Sequence, residues 1–235
     1  MTGGAVAYGF DEFLADLTAT NIDPTDTILN YLSLTDTAKL TLVLTRLERV
    51  RALDAGALAK ARAAKGVRKN EKKKQVEGQQ ATVVGALLER AIRVLLDGCK
   101  CLTHGGNVRT STSEIDFLLT MTTLSNAVPM LRKAVTHAIG EAKCYSSGMK
   151  IEWVNELVGI MQIHAATHSI LFLASPPKKL RIDARHAIHS HSLRGNFVVP
   201  FGLTQLNEVK GGKNFLKVLN DQYIETITGA TNLSI

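Results

Sequence analysis

The chain has 235 residues and a formal net charge of +7, with 45% hydrophobic, 21% charged and 5% aromatic residues. This length builds one substantial core or two small lobes, and the composition excludes a disordered chain, a collagen-like chain and a small disulfide scaffold. The scarcity of aromatic residues disfavours an all-β fold, because pleated surfaces prefer aromatic and β-branched side chains.

The first helices are predicted from apolar spacing. Phe10, Phe13, Leu14 and Leu17 recur at helical intervals, which predicts a short amphipathic helix within an N-terminal arm, residues 1–20. Asp23 and Pro24 suit the start of a second helix. A third, leucine-rich helix should run from about Thr35 to Arg51.

Further helices are predicted along the rest of the chain. Ser111 and Glu114 have the spacing of a capping box ahead of an apolar run, which predicts a helix start. The longest apolar run, 151–174, predicts a buried central helix that ends at two prolines. Other helices are expected over 83–96, 129–137, 180–192 and 215–227. The prediction is therefore an all-α, two-lobed helical protein, with lobes at 21–104 and 105–235 divided near a Gly-containing break.

Positive charge is concentrated in one block of the sequence. Residues 46–74 contain eleven basic and three acidic residues, whereas residues 1–45 contain six acidic residues and one basic residue. Such a block favours contact with the phosphates of a nucleic acid, and a solvated helix face is the alternative. The candidate RNA-binding residues are Arg46, Arg49, Arg51, Lys65, Arg68, Lys69, Lys72, Lys73 and Lys74, with a second group at Lys178, Lys179, Arg181 and Arg185 that could face the same cleft.

The sequence offers little that predicts catalysis. His164 and His168 have the i, i+4 spacing of zinc-binding helices, and the histidines at 186, 189 and 191 follow, but buried or hydrogen-bonded histidines explain this group equally well. Cys99 and Cys101 lack the two-residue gap of zinc and redox motifs. Without a phosphate-binding loop or an acid–base pair at a convincing spacing, we expect no enzyme activity, catalytic residue, metal site or cofactor.

The cellular compartment is predicted from the cysteines, the N-terminal residues and the length of the apolar stretches. Three cysteines cannot pair completely, which favours a reducing, intracellular environment. Residues 1–10 lack the basic residues of a signal peptide, and no stretch reaches the roughly 18 apolar residues of a membrane span. We therefore expect a soluble protein without stable membrane insertion.

The order of these features resembles the nucleocapsid proteins of phlebovirus-like (phenuivirus) segmented negative-strand RNA viruses. Three short stretches carry the resemblance, namely Leu42-Val43-Leu44-Thr45-Arg46, Thr167-His168-Ser169-Ile170-Leu171-Phe172-Leu173 and Asn214-Phe215-Leu216-Lys217. The resemblance covers about two thirds of the chain in patches. It implies a two-lobed all-α nucleoprotein of the virion and the host cytoplasm.

That family resemblance also implies partners and site roles. Single-stranded RNA would be encapsidated without sequence preference in a basic cleft, with Arg46, Arg49 and Arg51 as the first phosphate-binding residues. Homo-oligomers would form through an arm anchored by the apolar residues at 10, 13, 14 and 17, although docking of this helix on its own core is the alternative. A viral polymerase is a further candidate partner. The alternative function is a helical viral matrix or capsid-like assembly protein that binds membrane headgroups or other subunits.

Overall fold

A five-stranded mixed β-sheet forms the centre of the protein. The computed structural model describes residues 32–63, 68–109, 114–134, 136–144, 149–174 and 182–229, with the backbone only for 54–63 and 68–80. The arm residues Phe10, Phe13, Leu14 and Leu17 lie outside the described residues.

Seven α-helices and one short 3-10 helix accompany the strands in the described part of the chain. The first half contains α1 (Leu34–Ala63), α2 (Arg68–Asp97), β1 (Leu102–Arg109), β2 (Glu114–Met121), the 3-10 helix Thr123–Ala127, α3 (Pro129–Lys133) and β3 (His137–Lys143). The second half contains α4 (Ile151–Ile163), β4 (His168–Leu173), α5 (Ile182–Ser192), β5 (Phe197–Phe201), α6 (Leu203–Lys210) and α7 (Phe215–Thr228).

The strands lie in the sheet in the same order as in the sequence. β1, β2 and β3 form an antiparallel meander, whereas β3, β4 and β5 are parallel. Parallel neighbours require crossover connections, which α4 and α5 provide. In the register, Phe117 of β2 lies opposite Gly140 of β3. A Cβ atom added to Gly140 would stand 2.9 Å from the Cβ atom of Phe117, so this close approach requires glycine.

Helices cover both faces of the sheet and create two hydrophobic cores. On one face, residues of α1, α2, α6 and α7 pack with sheet residues such as Phe117 and Phe172. On the other face, residues of α4 and α5, including Val154 and Ile188, pack with Ile139 and Leu171. The protein is therefore a three-layer helix–sheet–helix structure.

The expectation of an all-α fold is wrong, and the run 151–174 shows why. It contains α4, a turn, and then β4. Ala165 in the turn has a φ of 51°, which ends the helix before the strand begins. Every residue of β4 is buried, because a central parallel strand is covered on both faces. Such a strand shows no alternation of apolar and polar residues, so its pattern does not distinguish it from a buried helix.

Other expected helices are also wrong in whole or in part. The segment after Ser111 and Glu114 is β2, in which buried and more exposed residues alternate. The helix that begins at Pro129 ends at Lys133, and His137 already belongs to β3. Three expected helices are confirmed in α1, α5 and α7, although α1 extends to residue 63. The expected helix over 83–96 is the second half of α2.

Residues of both predicted lobes belong to the same β-sheet and to the same hydrophobic core. The expected boundary at 104/105 falls inside β1, and the core on the α1 side contains residues from Leu40 to Tyr223. None of the helices in the described ranges combines the length and hydropathy that crossing a membrane requires.

Candidate active site

Three charged side chains meet on neighbouring strands, and we call them the carboxylate–lysine cluster: Asp116, Glu141 and Lys143. Glu141 and Lys143 are two residues apart on β3, so both side chains belong to the same face of the sheet. Phe117 pairs with Gly140, so Asp116, the residue before Phe117, lies beside the segment of β3 that follows Gly140. Two carboxylates and one ammonium group are thus concentrated near the carboxyl end of β3.

Short-range contacts hold the cluster together. Asp116 Oδ2 accepts a hydrogen bond of 2.8 Å from the backbone N–H of Ala142, the residue between the other two members. The Lys143 ammonium group forms an ion pair with Glu141 Oε1. The Asp116 side chain is fixed to the backbone of β3, and the β3 side chains are fixed to each other.

Glu141 is an unusual carboxylate for a strand because it is only 8% exposed. Burial raises its pKa, the Lys143 ammonium opposes this shift, and the negative charges of Asp116 and Glu156 add to it. A buried carboxyl group with a raised pKa beside a second carboxyl group is a feature of functional sites.

Helix α2 places a further carboxylate near the end of β3. Cys144, which follows Lys143, donates a hydrogen bond from Sγ to the carbonyl oxygen of Ala81 on α2 at 3.3 Å. Burial raises the pKa of the Cys144 thiol, and the negative charge of Glu89 adds to the shift. Glu89 therefore lies within electrostatic range of the strand end, on the opposite face of the sheet from α4.

The position of the cluster in the fold favours ligand binding. In sheets with parallel strands, ligands bind at the edge formed by the carboxyl ends of those strands. Lys143 ends β3, and the crossover helix α4 begins at this same edge with Ile151. The Lys143 ammonium and the two carboxylates therefore lie at the edge where ligands bind in sheets of this kind.

The donor set suits one kind of metal ion. In the described part of the chain, no group of three or more His, Cys, Asp or Glu side chains is arranged to hold a metal ion. A Zn²⁺ centre takes three or four protein ligands. Mg²⁺ instead retains several waters and is bound by one or two carboxylates together with substrate phosphates. Asp116 and Glu141 fit that second pattern.

The expected RNA-binding residues do not all lie on one surface. Arg46 and Arg49 are exposed on α1. Arg185 is half-buried on α5, and α1 and α5 cover opposite faces of the sheet. Of the remaining candidates, Arg51 is half-buried on α1, Arg68, Lys69, Lys72, Lys73 and Lys74 are placed on α2 by backbone only, and Lys65, Lys178, Lys179 and Arg181 lie outside the described residues.

The histidines do not form the expected helical pair. His164 caps the end of α4, whereas His168 belongs to β4 and is 1% exposed. On α5, His191 Nε2 bonds Asn155 Oδ1 at 2.9 Å, and His189 Nδ1 lies 3.5 Å from the carbonyl oxygen of Thr226. These contacts agree with hydrogen-bonded structural histidines.

The sequence interpretation missed the members of the carboxylate–lysine cluster and Glu89. A signal exists in the segment 138–143. The apolar pair Ala138 and Ile139 is followed by Glu141 and Lys143, two charged residues at the spacing of one strand face. It was hidden because the segment was not assigned to a strand, and period-two spacing has meaning only on a strand.

Together, the fold and the cluster define a mixed α/β protein whose carboxylate–lysine cluster lies where the central strand β3 ends. No protein-family model, curated protein or solved structure matches the chain. The chemistry of the site is thus the basis for a functional proposal.

Proposed function

We propose that this protein is a Mg²⁺-dependent nuclease that hydrolyses phosphodiester bonds of nucleic acids. The observation that carries the proposal is the convergence of Asp116, Glu141 and Lys143 at the carboxyl end of β3. Acidic oxygens bind a hard cation, and an ammonium group binds a phosphate, so the three residues together match a cation and a phosphate side by side.

Asp116 and Glu141 are the residues that would hold the cation. When bound, Mg²⁺ supplies Lewis-acid polarisation of a phosphoryl oxygen and promotes ionisation of a coordinated water. The hydrogen bond from Ala142 N–H keeps the Asp116 carboxylate in place for this role.

Lys143 has a separate role in the proposal. Its ammonium group is held beside the carboxylates by the ion pair with Glu141. A positive charge fixed at this position stabilises the negative charge that develops on the phosphoryl oxygens during hydrolysis. It also favours the ionised form of the buried Glu141 carboxylate, because the nearby ammonium group opposes the effect of burial on the pKa.

Charge along the chain supports a nucleic acid as the substrate. The protein carries a net charge of +7, and the basic block at 46–74 provides Arg46 and Arg49 as exposed cations on α1. Non-specific phosphate contacts of this kind supply affinity without reading bases. A polyanionic substrate therefore agrees with both the site and the protein's net positive charge.

Encapsidation of single-stranded RNA and the matrix alternative remain predictions, as does assembly through the arm. Both functions were expected of an all-α protein, and that fold is wrong because the sheet occupies the centre. The proposal differs from them in one measurable respect, since a nuclease shortens the bound strand and an encapsidating protein does not.

The test is a cleavage assay on labelled single-stranded RNA, single-stranded DNA and duplex DNA with Mg²⁺, with EDTA, or with no addition. We expect Mg²⁺-dependent shortening of at least one substrate, abolished in Asp116→Asn and Glu141→Gln. Glu225→Gln is the matched control, because Glu225 is a half-buried carboxylate on α7, away from the cluster. Equal cleavage by all variants, or intact substrates throughout, would contradict the proposal.

A further inference from the structure

Helix α4 has two flanks that face different parts of the molecule. Ile151 and Asn155 line the groove between α4 and α5. With 3.6 residues per turn, Trp153 lies about 200° around the helix from Ile151, on the flank away from α5. Glu156 follows Trp153 by three residues and therefore belongs to the same flank.

That second flank borders the carboxylate–lysine cluster. Helix α4 packs on β3, since Val154 shares a core with Ile139, and the negative charge of Glu156 adds to the raised pKa of Glu141. Trp153 lies one turn closer than Glu156 to the start of α4, and α4 begins at the edge where β3 ends. Trp153 is thus an aromatic side chain in the first turn of α4, near the edge of the sheet at which β3 ends.

The environment of Trp153 combines support from the core with access from outside. The ring packs against the α4–α5 core yet is only partly buried. The ammonium group of Lys150, an exposed residue, lies 5.7 Å from the centre of the ring. A half-buried ring that contacts the ammonium group of an exposed lysine can exchange that cation for another flat or charged group.

We infer that Trp153 and Lys150 form a stacking platform for an unpaired nucleobase of the substrate, next to the bond that is cleaved. The inference rests on the proposed function and deepens it by naming a preference for single-stranded nucleic acid. The base would stack on the indole ring, and Lys150 would move to the neighbouring phosphate.

Stacking explains why the preference would be for unpaired strands. Every base has a π-face that stacks on an aromatic side chain, so the contact tolerates any sequence. In a duplex, both faces of an internal base are already covered by its neighbours, and reaching Trp153 would require unstacking. A single strand or a frayed end avoids that cost.

The chain contains one tryptophan, so its fluorescence reports on this position alone. The experiment titrates the full-length protein in EDTA with a 12-nucleotide single-stranded DNA and with the corresponding duplex. We expect saturable quenching by the single strand and much weaker quenching at equal duplex concentration. Unchanged fluorescence at concentrations where binding is seen by anisotropy of a labelled strand would overturn the inference.

Two variants make the test independent of quenching. Trp153→Leu should weaken single-strand binding roughly 5- to 150-fold, the range for loss of one stacked base. Trp153→Tyr retains a ring and should restore most of that affinity, which a purely structural role would not predict. Lys150→Ala should weaken binding severalfold, with Lys100→Ala as its exposed control before β1.

The two proposals can fail separately. Quenching of the wild-type fluorescence and loss of affinity in Trp153→Leu, with no Mg²⁺-dependent cleavage by the wild type, would support the platform and contradict the nuclease. Cleavage that depends on Asp116 and Glu141, with equal affinity of wild type and Trp153→Leu for the single strand, would support the nuclease and overturn the platform.

Discussion

Asp116 accepts a 2.8 Å hydrogen bond from the backbone N–H of Ala142, so the acidic side chain of β2 is tied to the segment of β3 that bears Glu141 and Lys143. This bond lets the structural and catalytic roles of one carboxylate be separated. An amide side chain keeps an oxygen that accepts the hydrogen bond, but it lacks the negative charge that binds a cation.

We therefore expect Asp116→Asn and Asp116→Ala to differ in stability and agree in activity. Asp116→Ala should lower the free energy of unfolding by about 1–3 kcal/mol, because the Ala142 N–H loses its acceptor, whereas Asp116→Asn should lower it much less. Both should reduce Mg²⁺-dependent cleavage at least about a hundredfold. Urea unfolding and cleavage rates measure the two effects. Equal stability losses in the two variants would argue against this role of the hydrogen bond.

Gly140 permits the close contact between β2 and β3. We expect Gly140→Ala to cost roughly 1–3 kcal/mol of unfolding free energy, since the added Cβ atom would stand 2.9 Å from that of Phe117 and the strand must shift. The neighbouring Glu141 would shift too, and cleavage should fall. Gly159→Ala is the control, because a Cβ atom there meets nothing within 4 Å in the interior of α4. This second variant should gain roughly 0.5–1 kcal/mol in urea unfolding.

His168 should make the protein less stable in acid. Burial lowers its pKa to about 4, with a smaller contribution from Lys133, whereas the unfolded chain has the ordinary value near 6.5. The stabilising effect of the neutral form is therefore fully present above pH 6.5 and is lost as the pH falls toward 4. At pH 4.5 the loss should be about 2–3 kcal/mol.

Urea unfolding of wild type and His168→Phe at pH 7 and pH 4.5 measures this contribution. The phenyl ring can replace the stacking of His168 on Phe197, whose ring centre lies 4.8 Å away. The variant should lose less stability than wild type between the two pH values. His186→Gln, at an exposed position on α5, should lose as much as wild type.

Cation binding should weaken in mild acid. A carboxyl group must be ionised to bind a metal ion, and the pKa of Glu141 is raised by burial. Affinity should therefore fall as the pH decreases, beginning at a higher pH than for an ordinary glutamate. Binding of Mn²⁺ as a spectroscopic substitute for Mg²⁺, followed by electron paramagnetic resonance between pH 5 and 8, measures this dependence.

Lys143→Met provides a check on the cause of that pH dependence. The Lys143 ammonium opposes the effect of burial on the pKa of Glu141, so its removal should move the loss of Mn²⁺ binding to higher pH. A curve that stays in place would show that Glu141 is not the group that titrates.

Several helices were predictable from sequence because their signals are local. Asn214 caps α7 by accepting hydrogen bonds from the backbone N–H groups of Leu216 and Lys217, and its amide precedes the apolar pattern of the helix. The leucines of α1 recur at helical intervals and bury one side, with Leu40, Leu44 and Leu47 fully buried. Such features need no knowledge of distant residues.

The strands and the site depended on distant residues. β4 is buried throughout because both neighbouring strands and both helical layers cover it, and a strand of that kind shows no alternation of apolar and polar residues. In β3, the buried Glu141 stands two residues after the buried Ile139 on the same face of the strand, where alternation leads one to expect an apolar residue. The pattern thus fails at the residue that the proposed function uses.

The ion pair between Lys143 and Glu141 also bears on how the protein folds without its proposed cation. The Lys143 ammonium already compensates the charge of the buried Glu141 carboxylate, so this carboxylate has a cationic partner before any divalent ion binds. In zinc fingers, by contrast, metal binding supplies the folding energy and chelators unfold the domain. Here a chelator should stop catalysis and leave the thermal unfolding temperature nearly unchanged. The proposed function thus implies that the chain folds fully in a magnesium-poor environment and gains activity only when the ion binds.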